Sequence, residues 1–294
     1  MKKIFSAAAI IAFLGSCSIS KNTIKTNKLI AVEINLNTVI DDKVEVVINP
    51  KKIKEETITY HIPAIVPGTY MMSNYGKFIS IFEAFDYDEN EMSVEKLDAN
   101  SWQINNAKKM DKLYYWVDDT FDTEQDHNIY VMAGTNIEEG KNFLLNLPGF
   151  VGYFREKKET PYLITVTHPS NLYETSSLIN NNISKKDNTK DFFTAARYDE
   201  ISDNPIMYAP LNNVSFNVDG IQVTLAVYSP NNVHQAADME ADLKKMMQAQ
   251  STFLKGFKTT KEYNILLYLF DSEIHKFSVF GALEHLSSTT VIYP

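Results

Sequence analysis

The residues of this chain whose types and spacing could do chemistry lie near its end, in Phe280-Gly281-Ala282-Leu283-Glu284-His285-Leu286-Ser287-Ser288-Thr289-Thr290. A Gly-Ala-x-Glu core stands between two apolar, β-prone runs, Ile265–Phe270 and Val291–Tyr293, a pattern that suits an exposed strand beside a cleft. Gly281 and Ala282 are small enough for a peptide backbone to approach and pair with the strand's edge. Glu284 then places a carboxylate where an α-ammonium would be held by a charge-assisted hydrogen bond. A strand that merely ends in a glycine bend would use the same residues, and so short a motif has a high false-positive rate.

Other chemistries find less support. There is no Gly-x-Ser-x-Gly, and Cys17 is the single cysteine, so neither serine nor cysteine catalysis is indicated. The six histidines (His61, His127, His168, His234, His275, His285) are too widely spaced for any two to share one helical turn, and no His-Glu-x-x-His occurs. Asp118-Asp119-Thr120-Phe121-Asp122-Thr123-Glu124-Gln125-Asp126 is dense in carboxylates but lacks the central glycine and terminal glutamate of an EF-hand, and it reads as a solvated loop. Asn180–Asn188 reads as a polar surface loop.

The elements that must position Glu284 follow from hydrophobic patterning. Strands are expected at 29–36, 44–48, 57–62, 78–87, 113–117, 129–132, 162–167 and 192–198, punctuated by Asn-Pro at Asn49 and Pro-Gly at Pro67 and Pro148. Many short strands without long helices between them indicate an antiparallel β-sandwich over residues 29–208, so the fold class is mainly β. From 209 to 294 the texture becomes α+β. Asp219-Gly220 marks a hairpin, and Ala236–Phe257 is the one clear helix, its apolar stripe read as Met239, Leu243, Met246, Phe253 and Phe257 and its methionines as core filler. Gly256 suits the helix C-cap.

At the other end, Lys2 and Lys3, the apolar run Ile4–Leu14 and Leu14-Gly15-Ser16-Cys17 form an export signal over residues 1–17. The Leu-x-Ser-Cys ending resembles a bacterial lipobox, which implies that Cys17 is lipidated and anchors the protein to the cell envelope after export. Residues 18–28 are a polar tether. The net charge is −9, or −11 without Lys2 and Lys3, which argues against nucleic acid and against charge-driven adhesion to anionic lipid. The membrane contact expected is the lipid anchor alone.

Three segments together resemble the glycyl aminopeptidase family of gluzincin zinc metallopeptidases. Gly281-Ala282-Leu283-Glu284-His285 is similar to that family's Gly-Leu-Glu-His strand and to the Gly-Ala-Met-Glu-Asn strand of gluzincin aminopeptidases. Ile62-Pro63-Ala64-Ile65-Val66-Pro67-Gly68-Thr69-Tyr70-Met71 resembles its Trp-x-Pro-Gly-Ser-Tyr segment, with Ile65 at the usual aromatic, and Tyr198-Asp199-Glu200-Ile201-Ser202-Asp203-Asn204-Pro205 resembles its Asp-Tyr-x-x-Leu-x-Asp-Ser-Pro segment. The resemblance implies substrate binding by Gly281, Ala282, Glu284 and His285, a peptide with a free amino terminus as partner, and the opening of a thermolysin-like catalytic domain after residue 208. It also implies zinc in the complete enzyme, held by a His-Glu-x-x-His helix that this sequence lacks. The expectation is therefore an enzyme family member that is truncated and inactive as given. The rival expectation is a non-catalytic β-sandwich binding lipoprotein.

Overall fold

The computed structural model describes residues 29–181, 188–256, 260–273, 277 and 279–294. The signal segment with Cys17, the centre of the Asn180–Asn188 loop, Phe257 and His275 lie outside the described residues.

The chain opens with β1 (Ile30–Ile40), β2 (Lys43–Asn49), β3 (Thr57–His61), β4 (Ile79–Asp86), β5 (Val94–Asp98), β6 (Ser101–Asn105) and β7 (Met110–Asp118). There follow β8 (Asn136–Glu138), β9 (Asn142–Leu145), the short α1 (Leu147–Phe150), β10 (Tyr153–Phe154) and β11 (Tyr162–Thr167). Then come β12 (Tyr173–Ser176), β13 (Ile179–Asn180), β14 (Lys190–Ala195), α2 (Tyr198–Ser202) and β15 (Ile206–Ala209). The last part holds β16 (Asn213–Val218), β17 (Ile221–Tyr228), α3 (Ala236–Phe253), β18 (Glu262–Leu269), β19 (Gly281–Glu284) and β20 (Ser288–Tyr293).

These strands form a seven-stranded sheet in the order β13-β14-β11-β1-β2-β7-β4 and two four-stranded sheets, β10-β3-β6-β5 and β12-β15-β9-β8. The fold is mainly β, as the patterning indicates. Alternation explains β1: Ile30, Val32, Ile34 and Leu36 are buried while Glu33 and Asn37 are exposed, so one face is sealed against the core and the other meets water. At β4 a bulge sets Ile81 and Phe82 opposite one residue of β7. Phe82 thereby stacks between Trp102, at 4.6 Å between centroids, and Tyr115, at 5.6 Å. Ile81 meets that demand at φ 50, an uncomfortable value for a β-branched side chain. Gly152 has no room for a side chain, since a Cβ there would collide with the His61 carbonyl oxygen and the Tyr60 ring.

Two sequence expectations give way here. Residues 129–132 form no strand: Val131–Ala133 is a single 3-10 turn, and Ile129 and Ala133 are buried as packing rather than by pairing. Short apolar runs do not reveal whether burial comes through a sheet or a covering loop. The run 192–198 ends as a strand at Ala195, because Tyr198 opens α2 and its hydroxyl donates to the Val151 carbonyl at 2.7 Å.

The final sheet has five strands in the order β16-β17-β18-β20-β19. Asp219 at φ 48 and Gly220 at φ 85 make the tight turn between β16 and β17, both in the left-handed region that such hairpins need. Helix α3 packs on this sheet through buried Ala236 and half-buried Met239, Leu243 and Met247. Met246 is 50% exposed and Phe253 85%, so the expected stripe through those residues is corrected: the packed face runs through Met247 and the last turn of the helix leaves the sheet. The helix ends at Phe253 with Leu254 as its C-cap, so Gly256 is not the cap residue expected; at φ 70 it closes the turn that follows, its N–H donating to the Ser251 carbonyl at 2.8 Å. Among the described residues no helix is long and apolar enough to cross a membrane.

Candidate peptide-binding edge

β19 is the outermost strand of the last sheet and pairs antiparallel with β20 alone, Gly281 opposite Ile292 and Glu284 opposite Thr289. Its other edge has no strand partner among the described residues. Alternation divides its side chains. Leu283 turns toward the first part of the chain and joins its core, while Ala282 and Glu284 are exposed on the other face. The Cδ1 of Leu283 lies 3.6 Å from where a Cβ on Gly68 would stand, so the Pro67-Gly68 turn backs directly onto this strand. Gly281 looks across at Met132, whose Cε is 3.8 Å from the position a Cβ would take.

Glu284 forms no ion pair among the described residues. Its charge is felt at Tyr263, whose hydroxyl pKa is raised first by burial and then by the nearby carboxylate. A carboxylate so placed, exposed and without a cation, can receive one from outside.

His285 is placed differently. Its side chain is only 4% exposed, and Nδ1 lies 3.2 Å from Asp203 Oδ1. The Leu286 N–H donates to Asp203 Oδ2 at 3.1 Å, Ser287 Oγ donates to Asn204 Oδ1 at 3.3 Å, and Ser177 Oγ donates to the Ser287 carbonyl at 2.7 Å. Asn264 completes the clamp by donating to Ser177 Oγ at 2.8 Å and to the Ser176 carbonyl at 3.0 Å. Burial alone would raise the Asp203 carboxyl pKa, but the bonds from His285 and Leu286 overcome it and hold the group below its usual range. The structure therefore brings Gly281, Ala282, Glu284 and His285 together on one strand end, with Glu284 facing out and His285 facing the clamp.

The carboxylate-rich stretch after β7 is not wholly solvated. Asp119 is 2% exposed and accepts the backbone N–H groups of Phe121 and Ile137. Burial pushes its pKa up to about 7 against those bonds. Thr120 Oγ1 accepts the Thr135 N–H at 2.8 Å. This pinning turns Phe121 onto Tyr268 and Phe277, with centroids 5.2 Å and 5.1 Å away. Sequence reading missed this because charge density hides the one carboxylate that faces inward. The signal present was an Asp-Thr pair directly after a strand, a common turn-forming combination. Between this loop, Met71 and the approach to β19 lies an open cavity of about 370 Å³, lined among others by Phe121, His127, Ile129, Tyr130 and Val279.

Residues 31–210 match the peptidase M61 N-terminal domain. The chain belongs to the peptidase M61 family. Solved structures agree on the fold of this M61 chain. An aminopeptidase N family protein from Idiomarina loihiensis superimposes with a TM-score of 0.76 at 18% identity, covering 90% of this chain and 42% of the other. An M1 zinc metallopeptidase mutant from Deinococcus radiodurans, bound to a Tyr-Ser-Ala substrate, gives a TM-score of 0.50 at 12% identity, covering 90% and 59%. The chain thus spans about half the length of these structures. No curated protein sequence matches it. The second of these structures is a zinc metallopeptidase by name, but the described residues of the M61 chain contain no group of three His, Cys, Asp or Glu that could hold a metal ion.

Proposed function

We propose that this M61 chain is the peptide-binding part of an aminopeptidase, exported and held to the cell envelope by a lipid on Cys17. The observation that carries the reading is β19: an outer strand that has, among the described residues, no strand on its other edge, opened by Gly281 and Ala282, on which Glu284 stands exposed and without a described cation. A peptide would add to that edge by backbone pairing, and Glu284 would take its α-ammonium. His285 serves the same site from behind, through its bond to Asp203, by fixing the strand's end. A preference for an amino-terminal glycine is supported by the similarity of the three segments to glycyl aminopeptidases. The zinc that such chemistry requires is proposed for the complete enzyme, with ligands from residues other than those described here.

The test is binding of a short peptide amide with a free or an acetylated amino end to the whole chain, by isothermal titration. The free form is expected to bind about two- to fivefold more tightly, the scale of an ion pair at an exposed carboxylate, and Glu284→Gln should erase the difference. Equal binding of both forms refutes the reading. The alternative, a non-catalytic β-sandwich binding lipoprotein, would then gain ground, and it would place ligand effects away from β19. Anchoring has its own check: Cys17→Ala should release the mature protein from the membrane fraction, and unchanged fractionation refutes the lipid.

A further inference from the structure

The cavity beside Gly281 has no role in holding an α-ammonium, yet its walls are suited to a ligand. Met71, Phe121, Ile129, Tyr130, Phe277 and Val279 supply most of the walls around about 370 Å³, and Thr120, His127 and Asn128 make the rest polar, a mixture within the range of small-molecule and side-chain pockets. It lies at the start of β19, whereas Glu284 lies at its end. A peptide whose amino end sits at Glu284 has two directions in which to run. Parallel to β19 it would leave the strand at once, toward His285 and Leu286, where the chain turns back into β20 and is clamped to Asp203. Antiparallel to β19 it keeps a pairing edge through Leu283, Ala282 and Gly281, and it arrives at the cavity. Only this direction uses the strand.

Register then fixes which residue reaches the pocket. Directly opposed residues in a sheet put their side chains on the same face. Leu283 and Gly281 face the first part of the chain, and the cavity lies on that side: Val131 lines it, and Gly281 faces the adjacent Met132. With the first peptide residue opposite Leu283 or Glu284, the residue opposite Gly281 is the third or the fourth. We infer that the cavity is a subsite for a large apolar or aromatic side chain at the third or fourth residue of a bound peptide, so that selection is exercised downstream of the amino end. This rests on the peptide-binding reading of β19. It leaves the first position free to be as small as glycine.

The experiment uses the whole chain and tetraglycine amides in which one Gly is replaced by Phe at each position in turn. Phe at position three or four is expected to bind at least tenfold more tightly than Phe at position one or two, within the span that apolar pocket contacts give. Val279→Trp, at an exposed wall position, should fill the pocket and abolish that advantage, and Met71→Trp provides a second filling variant. Equal binding of the four peptides overturns the inference, as does an advantage that survives both filling variants. Acetylated copies separate the two claims. If acetylation weakens binding but Phe position has no effect, the subsite falls and the Glu284 reading stands. If neither matters, both fall, and if only Phe matters regardless of position, the cavity is an aromatic pocket unrelated to β19 and the inference is overturned.

Discussion

Asp203 carries the end of β19, and its removal can be worked through from the structure. Asp203→Ala deletes two acceptors: the one facing His285 Nδ1 at 3.2 Å and the one taking the Leu286 N–H at 3.1 Å. The His285 ring is left 4% exposed without its carboxylate partner. Bonds to a charged group contribute about 1.5–3 kcal/mol when well shielded. The Asp203 side chain is 42% exposed, so solvent screens part of this. The expected cost is therefore roughly 1–2 kcal/mol, which lowers the melting temperature by about 2–6 °C for a chain of this size. The pH dependence has a definite sign. The Asp203 pKa is depressed in the folded state, so its contribution is present above the unfolded value, near 4, and is lost as pH falls through the folded one. Wild type and variant should differ at pH 7 and converge in acid. Thermal unfolding by circular dichroism across that range, with hydrogen exchange at Leu286, checks both. A variant that melts with the wild type at pH 7, or whose deficit persists unchanged in acid, refutes the clamp.

The buried pair His168–Asp191, 3.1 Å apart, makes a second pH-dependent prediction. Burial would lower the His168 pKa, but the bond to Asp191 raises it, whereas the Asp191 carboxyl, which also accepts from Tyr208 and Asn180, is lowered despite burial. The pair's stabilisation is fullest between about pH 4 and 6.5, fading above as His168 loses its proton and below as Asp191 gains one; His168→Gln should lose most in that window by denaturant titration. Gly152→Ala should cost at least about 2 kcal/mol, measured the same way, because the added methyl meets the fixed His61 carbonyl and Tyr60 ring. Phe253→Ser should leave stability within about 0.5 kcal/mol, since that side chain is 85% exposed in spite of its place in an apolar repeat.

Sequence alone determined the class of the fold and the address of the candidate site, for reasons that are local. The period-two alternation of Ile30, Val32, Ile34 and Leu36 declares a half-buried strand wherever it is read, and Asp219-Gly220 declares a tight hairpin because few residue pairs accept its backbone angles. Gly281-Ala282-Leu283-Glu284 likewise names a small-residue strand with a carboxylate. What no local rule contains is which strand ends up on the outside. That β19 is an edge follows from β20 inserting between it and β18 in a parallel pairing. That Glu284 points out while His285 is held inward by Asp203 follows from a contact between residues 82 apart in the sequence, in segments that share no periodicity. Tertiary structure also decided that Asp119 is buried among carboxylates that are not, and that the helix stripe runs through Met247 rather than Met246. Helical periodicity locates an apolar face to within one residue of rotation, and only the surface against which that face packs selects between neighbours.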